Sequence, residues 1–369
     1  MKFALFAEIP VARPWDPGKE AAAIRHTVDQ AVFAEEMGFH SFWSVEHHFL
    51  DEFSHCSNPE VLYGAIAART STLRIGYGVR LTPSPYNHPV RTAESVATLD
   101  CISDGRVEWG TGRSATRLEL EGFGINPHET REMLGECIDH VVGCWTNDQY
   151  EFEGKYWQMP SRRVHPKPVQ QPHPPIWSAT TSVDGHYEVG KMGVGLLSFA
   201  VGVPPEDLIP RVEAYRKGQA ECEKPKGLFR NEQVVTFTMA HCAATNQQAY
   251  DEAAESMVWY PKKGPELIGA TADYARKFQE DLGTYHYAGD MSKLHSSGAV
   301  NELTFDYIRD SAAALVGDPD RCIEIAKRYE AAGCDLLFCL ANPYKITHEQ
   351  TLSSLEQFGK YVIPEFEKA

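Results

Sequence analysis

The chain has 369 residues, 43% of them hydrophobic and 23% charged, enough to bury a large core and to exclude a wholly disordered chain. It carries 35 basic and 51 acidic residues, a net charge of −16 with no basic stripe, which argues against a nucleic-acid surface. No run approaches the ~18 apolar residues of a membrane span, and Met1 to Glu8 is too short an apolar stretch for a secretory signal, so a cytoplasmic, membrane-free protein is expected.

In chain order, short apolar or β-branched runs at 2–8, 41–46, 74–79, 106–111, 175–179, 195–201, 234–240 and 334–340 read as strands. Several lack clean alternation, as strands covered on both faces do. Helical patterns at 20–37, 59–70 and 90–102 fall between the first four. Asn126-Pro127 supplies an N-cap and a first-turn proline for a helix carrying Leu134, Ile138, Val141, Val142 and Trp145. Patterns at 182–192, 205–221, 246–257 and 318–332 complete the alternation, and 351–363 adds a last helix. Eight strands alternating with helices predict an α/β fold, a single (β/α)8 TIM barrel over 1–369; an open doubly wound sheet is the alternative, weakened by the missing Gly-rich turn after the first strand.

Two stretches exceed the minimal barrel. Residues 146–174, rich in proline, aromatics and histidine, read as an inserted loop or short hairpin. Residues 260–301, with Gly264, Gly269, Gly283, Gly289 and Gly298, read as a lid-like segment, the largest insertion, between strands seven and eight. The nine cysteines form no CxxC pair and are odd in number; Cys101, Cys137 and Cys144 fall at apolar helix positions, as reduced core thiols would.

Chemistry in such a barrel sits at the C-terminal ends of the strands. The second strand ends in Glu46-His47-His48, two imidazoles that can act as general acid or base; packed structural histidines are the other reading, and no ligand spacing supports a metal. Gly78 ends the third strand, marking a close backbone approach or a bulge. Gly110-Thr111-Gly112-Arg113 ends the fourth, where backbone and guanidinium can meet a phosphate. Thr180, Thr181 and Ser182 precede a helix N-terminus, as in an anion site or an ordinary cap. Trp43, Phe199 and Trp259, with Trp109 and Trp177, are candidates for the wall of an apolar pocket.

These residues, in their order and spacing, resemble the bacterial-luciferase-like flavin monooxygenases over nearly the whole chain. Carrying the resemblance are Met1-Lys2-Phe3, Gly38-Phe39, Glu46-His47-His48-Phe49, Asn58-Pro59, Arg74-Ile75-Gly76, His88-Pro89-Val90-Arg91, Ser103-Asp104-Gly105-Arg106, Gly110 to Arg113, Pro174 to Trp177 and Gly317-Asp318-Pro319. The resemblance implies reduced FMN from a separate reductase, molecular oxygen, a flavin 4a-hydroperoxide, a small organic substrate and a homodimer. It implies that His47 is the catalytic histidine and that Gly78–Val79 is a non-prolyl cis peptide against the flavin. Arg113, Thr180 and Thr181 would then hold the phosphate. Gly112 stands where the light-emitting luciferase subunit has a reactive cysteine, and Phe199 where it has serine, so light emission is not expected. The rival readings are a deazaflavin-dependent hydride transferase on the same barrel, a non-catalytic flavin-binding protein and, more distantly, a metallohydrolase.

Overall fold

The computed structural model describes residues 1–199 and 201–367. Eight parallel strands of these residues close a barrel: β1 (Lys2–Ala7), β2 (Ser41–Ser44), β3 (Arg74–Tyr77), β4 (Val107–Gly112), β5 (Ile176–Thr180), β6 (Gly195–Ser198), β7 (Val234–Cys242) and β8 (Leu336–Leu340). β1 pairs Phe6 with Trp43 on one side and Leu340 on the other. β7 closes the ring, pairing Val234 with Leu196 of β6 and Val235 with Leu336 of β8. The expected (β/α)8 barrel is therefore the observed one.

Helices cover the outside of the sheet and side chains fill the inside, so both faces of each strand exclude water. All nine residues of β7 are buried, which is why its sequence does not alternate. Inside the barrel the Phe6 ring stacks on Phe338, with centroids 5.2 Å apart, and meets Phe237 edge-on at 4.9 Å. Trp43 packs on Phe338 at 4.8 Å and edge-on to Trp177 at 5.7 Å. The Asn126 side chain accepts from His128 N at 3.1 Å, Pro127 opens a short 3₁₀ turn, and the helix Thr130–Thr146 follows.

Departures from expectation are local. Residues 146–174 contain an antiparallel hairpin, Tyr150–Glu153 with Gln158–Arg162. A two-residue strand, Arg80–Leu81, pairs with the end of β4, and Leu315–Gly317 pairs with the end of β7. The sixth strand stops at Ser198, short of the expected 201, and residue 200 lies outside the described residues. Cys101 is exposed on its helix rather than in the core; the other eight cysteines are buried and all nine are free. Among the described residues no helix is long and apolar enough to cross a membrane.

The segment 260–301, expected as a lid-like insertion, is built mainly of helices. One helix, Asn246–Arg276, runs through Pro261 and Pro265, and His286–Ser296 packs back on it. Prolines normally end a helix, but here Met257, Tyr260, Gly269, Ala272 and Ala275 are buried on its inner side, so tertiary packing outweighs the two lost hydrogen bonds. Gly269 marks the crossing of the two helices: a Cβ there would stand 2.8 Å from the backbone of Ser292. Gly269→Val is expected to force the helices apart and cost about 1–3 kcal/mol. Thermal unfolding with limited proteolysis of 246–302 checks this, and an unchanged melting temperature and cleavage pattern refutes it.

Candidate active site

The C-terminal ends of β1, β2 and β4 bring a histidine and three carboxylates together. The loop after β2 folds back so that His47 N donates to Cys56 O at 2.9 Å and His55 N to Ile9 O at 2.9 Å. Ser54 Oγ donates to Glu8 O at 2.6 Å, which fastens this loop to the end of β1. A short helix, Arg117–Gly122, follows β4 with Thr116 as its N-cap and carries Glu119 inward.

Glu119 is fully buried and accepts four donors. Oε1 lies 2.9 Å from His47 Nδ1 and 3.0 Å from His48 N, while Oε2 accepts Ser114 Oγ at 2.8 Å and Thr116 Oγ1 at 2.6 Å. Burial works against its charge, but His47 and the Thr116 and His48 donors outweigh burial and hold its carboxyl below the usual range. An ionised Glu119 with its acceptor sites filled requires a proton on Nδ1 of His47. The other ring nitrogen, Nε2, faces Glu8 Oε2 at 3.7 Å, beyond hydrogen-bond reach. Burial opposes charging His47, yet Glu119, Glu8 and Glu46 together push its pKa up to about 9. The His47 side chain retains 21% exposure and borders a cleft of about 410 Å³, with Trp15, Phe49 and Leu50 in its wall.

The other sequence-predicted residues take distinct places. His48 stacks on Tyr86 and meets Phe123 edge-on, with Nε2 3.5 Å from Glu46 Oε1. Glu46 itself accepts Leu81 N at 2.8 Å and Asn87 Nδ2 at 2.9 Å, holding the loop after β3. Gly78–Val79 is a non-prolyl cis peptide, and Gly78 N donates to Ser44 O at 2.7 Å. Val79 packs so close to Gly112 that a Cβ there would stand 2.2 Å from its Cγ2. Ser182 Oγ accepts Gly185 N at 3.1 Å and caps the helix Val183–Lys191, with Thr180 and Thr181 just before it. Arg113 Nη1 donates to Thr284 Oγ1 at 2.8 Å and reaches Thr130 Oγ1 at 3.3 Å, with its guanidinium 5.1 Å from the Tyr285 ring.

Of the three pocket candidates, Trp43 is wholly buried, with Nε1 donating to Ser41 Oγ at 2.9 Å and its indole filling the barrel interior. Phe199 stacks on Phe237 at 5.3 Å, and Trp259 stacks on Tyr344 at 3.9 Å and on Phe53 at 6.0 Å; both are partly exposed. No group of three or more histidine, cysteine, aspartate or glutamate side chains among the described residues is arranged for a metal.

Four residues at the site escape the sequence reading. Glu119 has a signal, Thr116-x-x-Glu119, a helix-start pattern just after the fourth strand. Glu8 ends the first strand and so sits at the mouth like His47. Tyr260 OH donates to Glu8 Oε1 at 2.7 Å from the long helix, a contact no local pattern announces. Arg131, in the first turn of Thr130–Thr146, lies close enough to Arg113 that burial, and then Arg113, lower its pKa against the opposing pull of Glu188 and Asp184. Neither arginine makes an ion pair with a carboxylate among the described residues.

A family model described as luciferase-like monooxygenase matches residues 1–336. The chain belongs to the luciferase-like monooxygenase family. Within that family it is 25% identical to the oxygenase component of flavin-dependent trigonelline monooxygenase from Acinetobacter baylyi, over 100% of this chain and 96% of that protein. The oxygenating constituent of 3,6-diketocamphane monooxygenase from Pseudomonas putida, solved with FMN, superposes with a TM-score of 0.74 at 21% identity, covering 99% of this chain and 98% of that one. An F420-dependent secondary alcohol dehydrogenase superposes with a TM-score of 0.71 at 20% identity, covering 98% of each chain. At these identities the two solved structures share the fold, and this luciferase-like enzyme's own residues must carry the chemistry.

Because the folded chain binds the His47 proton more tightly than the unfolded chain, that proton stabilises folding fully below about pH 6.5. The contribution is lost as pH rises through about 9. Wild type is expected to exceed His47→Gln in stability by about 3 kcal/mol at pH 6, with the gap closing by pH 10. Thermal melts of both proteins across this range check it, and a constant gap refutes it.

Proposed function

We propose that this chain is the oxygenase component of a two-component flavin monooxygenase, taking reduced FMN from a separate reductase and inserting one atom of dioxygen into a small organic substrate. The observation that supports this best is the pairing, at one end of the barrel, of His47 held between buried carboxylates with two arginines that lack carboxylate partners. In a chain of net charge −16, two neighbouring guanidiniums that form no ion pair among the described residues, with Glu188 and Asp184 near Arg131 but not paired with it, fit a phosphate dianion. The residues present therefore fit FMN. Arg113 and Arg131 would hold its phosphate, with the capped helix end at Thr180, Thr181 and Ser182 alongside. Gly78, Val79 and Gly112 would lie against the ring, where no room remains for a Cβ at Gly112. When bound, reduced FMN supplies the two electrons with which dioxygen gives one atom to substrate and the other to water.

The protein's own contribution is proton control and exclusion of water. Glu119 fixes the Nδ1 proton of His47, so Nε2 is the atom that gives or takes a proton at the reacting centre. Phe53, Trp259 and Tyr260 form an aromatic wall beside the imidazole, with the Phe53 ring centroid 6.3 Å from that of His47 and 4.9 Å from that of Tyr260. Such a wall suits an organic substrate and keeps the site dry.

Anaerobic titration with reduced FMN, followed by mixing with oxygen, tests the reading. One equivalent bound, with reoxidation slower than for free flavin, is the expected result. Failure of reduced FMN to bind overturns it, and tight binding of a deazaflavin in its place moves the enzyme to hydride transfer. Arg113→Ala is expected to weaken reduced-FMN binding by about 10- to 100-fold, the loss of one charge-assisted hydrogen-bond set. His47→Ala is expected to leave that affinity nearly unchanged while product formation falls by about 100-fold or more.

A further inference from the structure

We propose that Glu8 is a positioning residue that shares one proton with Nε2 of His47, so that this nitrogen can be loaded or bare without exchange with solvent. The proposal rests on the reading of His47 as the proton-handling group. It starts from a buried atom without a partner. Glu8 is 2% exposed; Oε1 accepts Tyr260 OH at 2.7 Å, and Oε2 has no hydrogen bond at all. The atom opposite is Nε2 of His47, 3.7 Å away.

A buried carboxyl stays charged only if a cation or several hydrogen-bond donors face it, and Glu8 has a single donor; otherwise it keeps its proton. The titratable groups around Glu8 are His47 and Cys56 from the loop after β2, Glu119 from the short helix and Tyr260 from the long helix. None is a lysine or arginine, Glu119 is an anion, and Cys56 and Tyr260 stay neutral because burial raises both. His47 is thus the one group in this set able to balance Glu8. Two states compete: neutral Glu8 beside a neutral His47, and a Glu8 carboxylate beside an imidazolium. Burial favours the first, and Glu119, with Glu46 behind it, favours the second. Passing between them breaks the Oε2–H bond of Glu8 and forms the Nε2–H bond of His47. No proton is gained or lost by the pair.

The geometry suits transfer rather than a permanent tether. At 3.7 Å the two atoms need a small side-chain rotation to meet, and the rest of the time Nε2 stays free for a bound molecule. Tyr260 fixes the Glu8 carboxyl from the other side, so Oε2 keeps facing the ring.

The test follows His47 by NMR in cofactor-free protein with isotope-labelled histidine, assigned by its loss in His47→Gln. In wild type the titration midpoint is expected near 9. Glu8→Gln, which keeps the shape but not the charge or the acid, should lower it by about one pH unit or more. Tyr260→Phe, which removes the donor favouring the Glu8 carboxylate, should lower it by a smaller amount. A midpoint unchanged in both variants overturns the proposal. If Glu8→Gln does not fold, Tyr260→Phe decides alone, and an unchanged midpoint there overturns it equally. The measurement needs no flavin, so a shifted midpoint alongside failed FMN binding would reject the oxygenase reading and keep the shared proton.

Discussion

Four donors from two loops converge on the buried carboxylate of Glu119, and the mouth of the barrel takes its shape from that convergence. His47 and the His48 amide come from the loop after β2; Ser114 and Thr116 come from the segment after β4. β3 lies between these strands, so no backbone pairing joins the two loops directly. The carboxylate does so instead, and hydrogen bonds to a charged group contribute about 1.5–3 kcal/mol each. A neutral residue at 119 would leave buried donors unpaired, and the two loops would have no reason to keep their spacing. The tautomer and orientation of His47 follow from the same bonds, so fold stability and chemistry here depend on one side chain.

The helical insertion meets this frame from the other side. Thr271 Oγ1 donates to Ala115 O at 2.8 Å, and Tyr285 OH donates to Ser114 O at 2.9 Å, both onto the segment that carries Glu119. Thr284 takes the Arg113 guanidinium, and Tyr260 of the long helix takes Glu8. The insertion therefore touches both halves of the site, the arginine end and the histidine end, through side chains of one continuous stretch. Its helices hold that stretch in register because Gly269 lets them cross with backbone nearly in contact.

Much of the barrel was legible in the sequence because a strand buried on both faces leaves a dense apolar run, and eight such runs between helical patterns admit few architectures. His47, Arg113 and Gly78 were legible because they end strands or follow them directly, where barrel side chains point to the mouth. The helices of the insertion leave little local signal, for a physical reason. Glycine and proline break local helix preference, but Gly269 is small for the sake of packing and Pro261 and Pro265 are carried by the buried face around them. At Trp43 the sequence leaves two readings, because an aromatic near a strand end suits a pocket wall and a barrel core equally, and its packing on Trp177 and Phe338 is visible only in the fold. Glu8 and Tyr260 are 252 residues apart, and pairs of that kind exist only once the barrel has closed.

Three glutamates stand around His47, and their environments set them apart. Glu46 accepts backbone and amide donors from the loop after β3 and is spent on holding that loop. Glu119 accepts four donors, so its charge costs little despite full burial, and it serves His47 as a constant negative neighbour. Glu8 receives one side-chain donor, and burial raises its pKa against the opposing pull of His47 and Tyr260. The number of donors thus sets Glu119, which holds its charge firmly, apart from Glu8, which does not. A histidine between a fixed anion and a variable one has one nitrogen whose proton is settled and one whose proton is not, and the unsettled nitrogen faces the carboxyl that Tyr260 of the long helix holds.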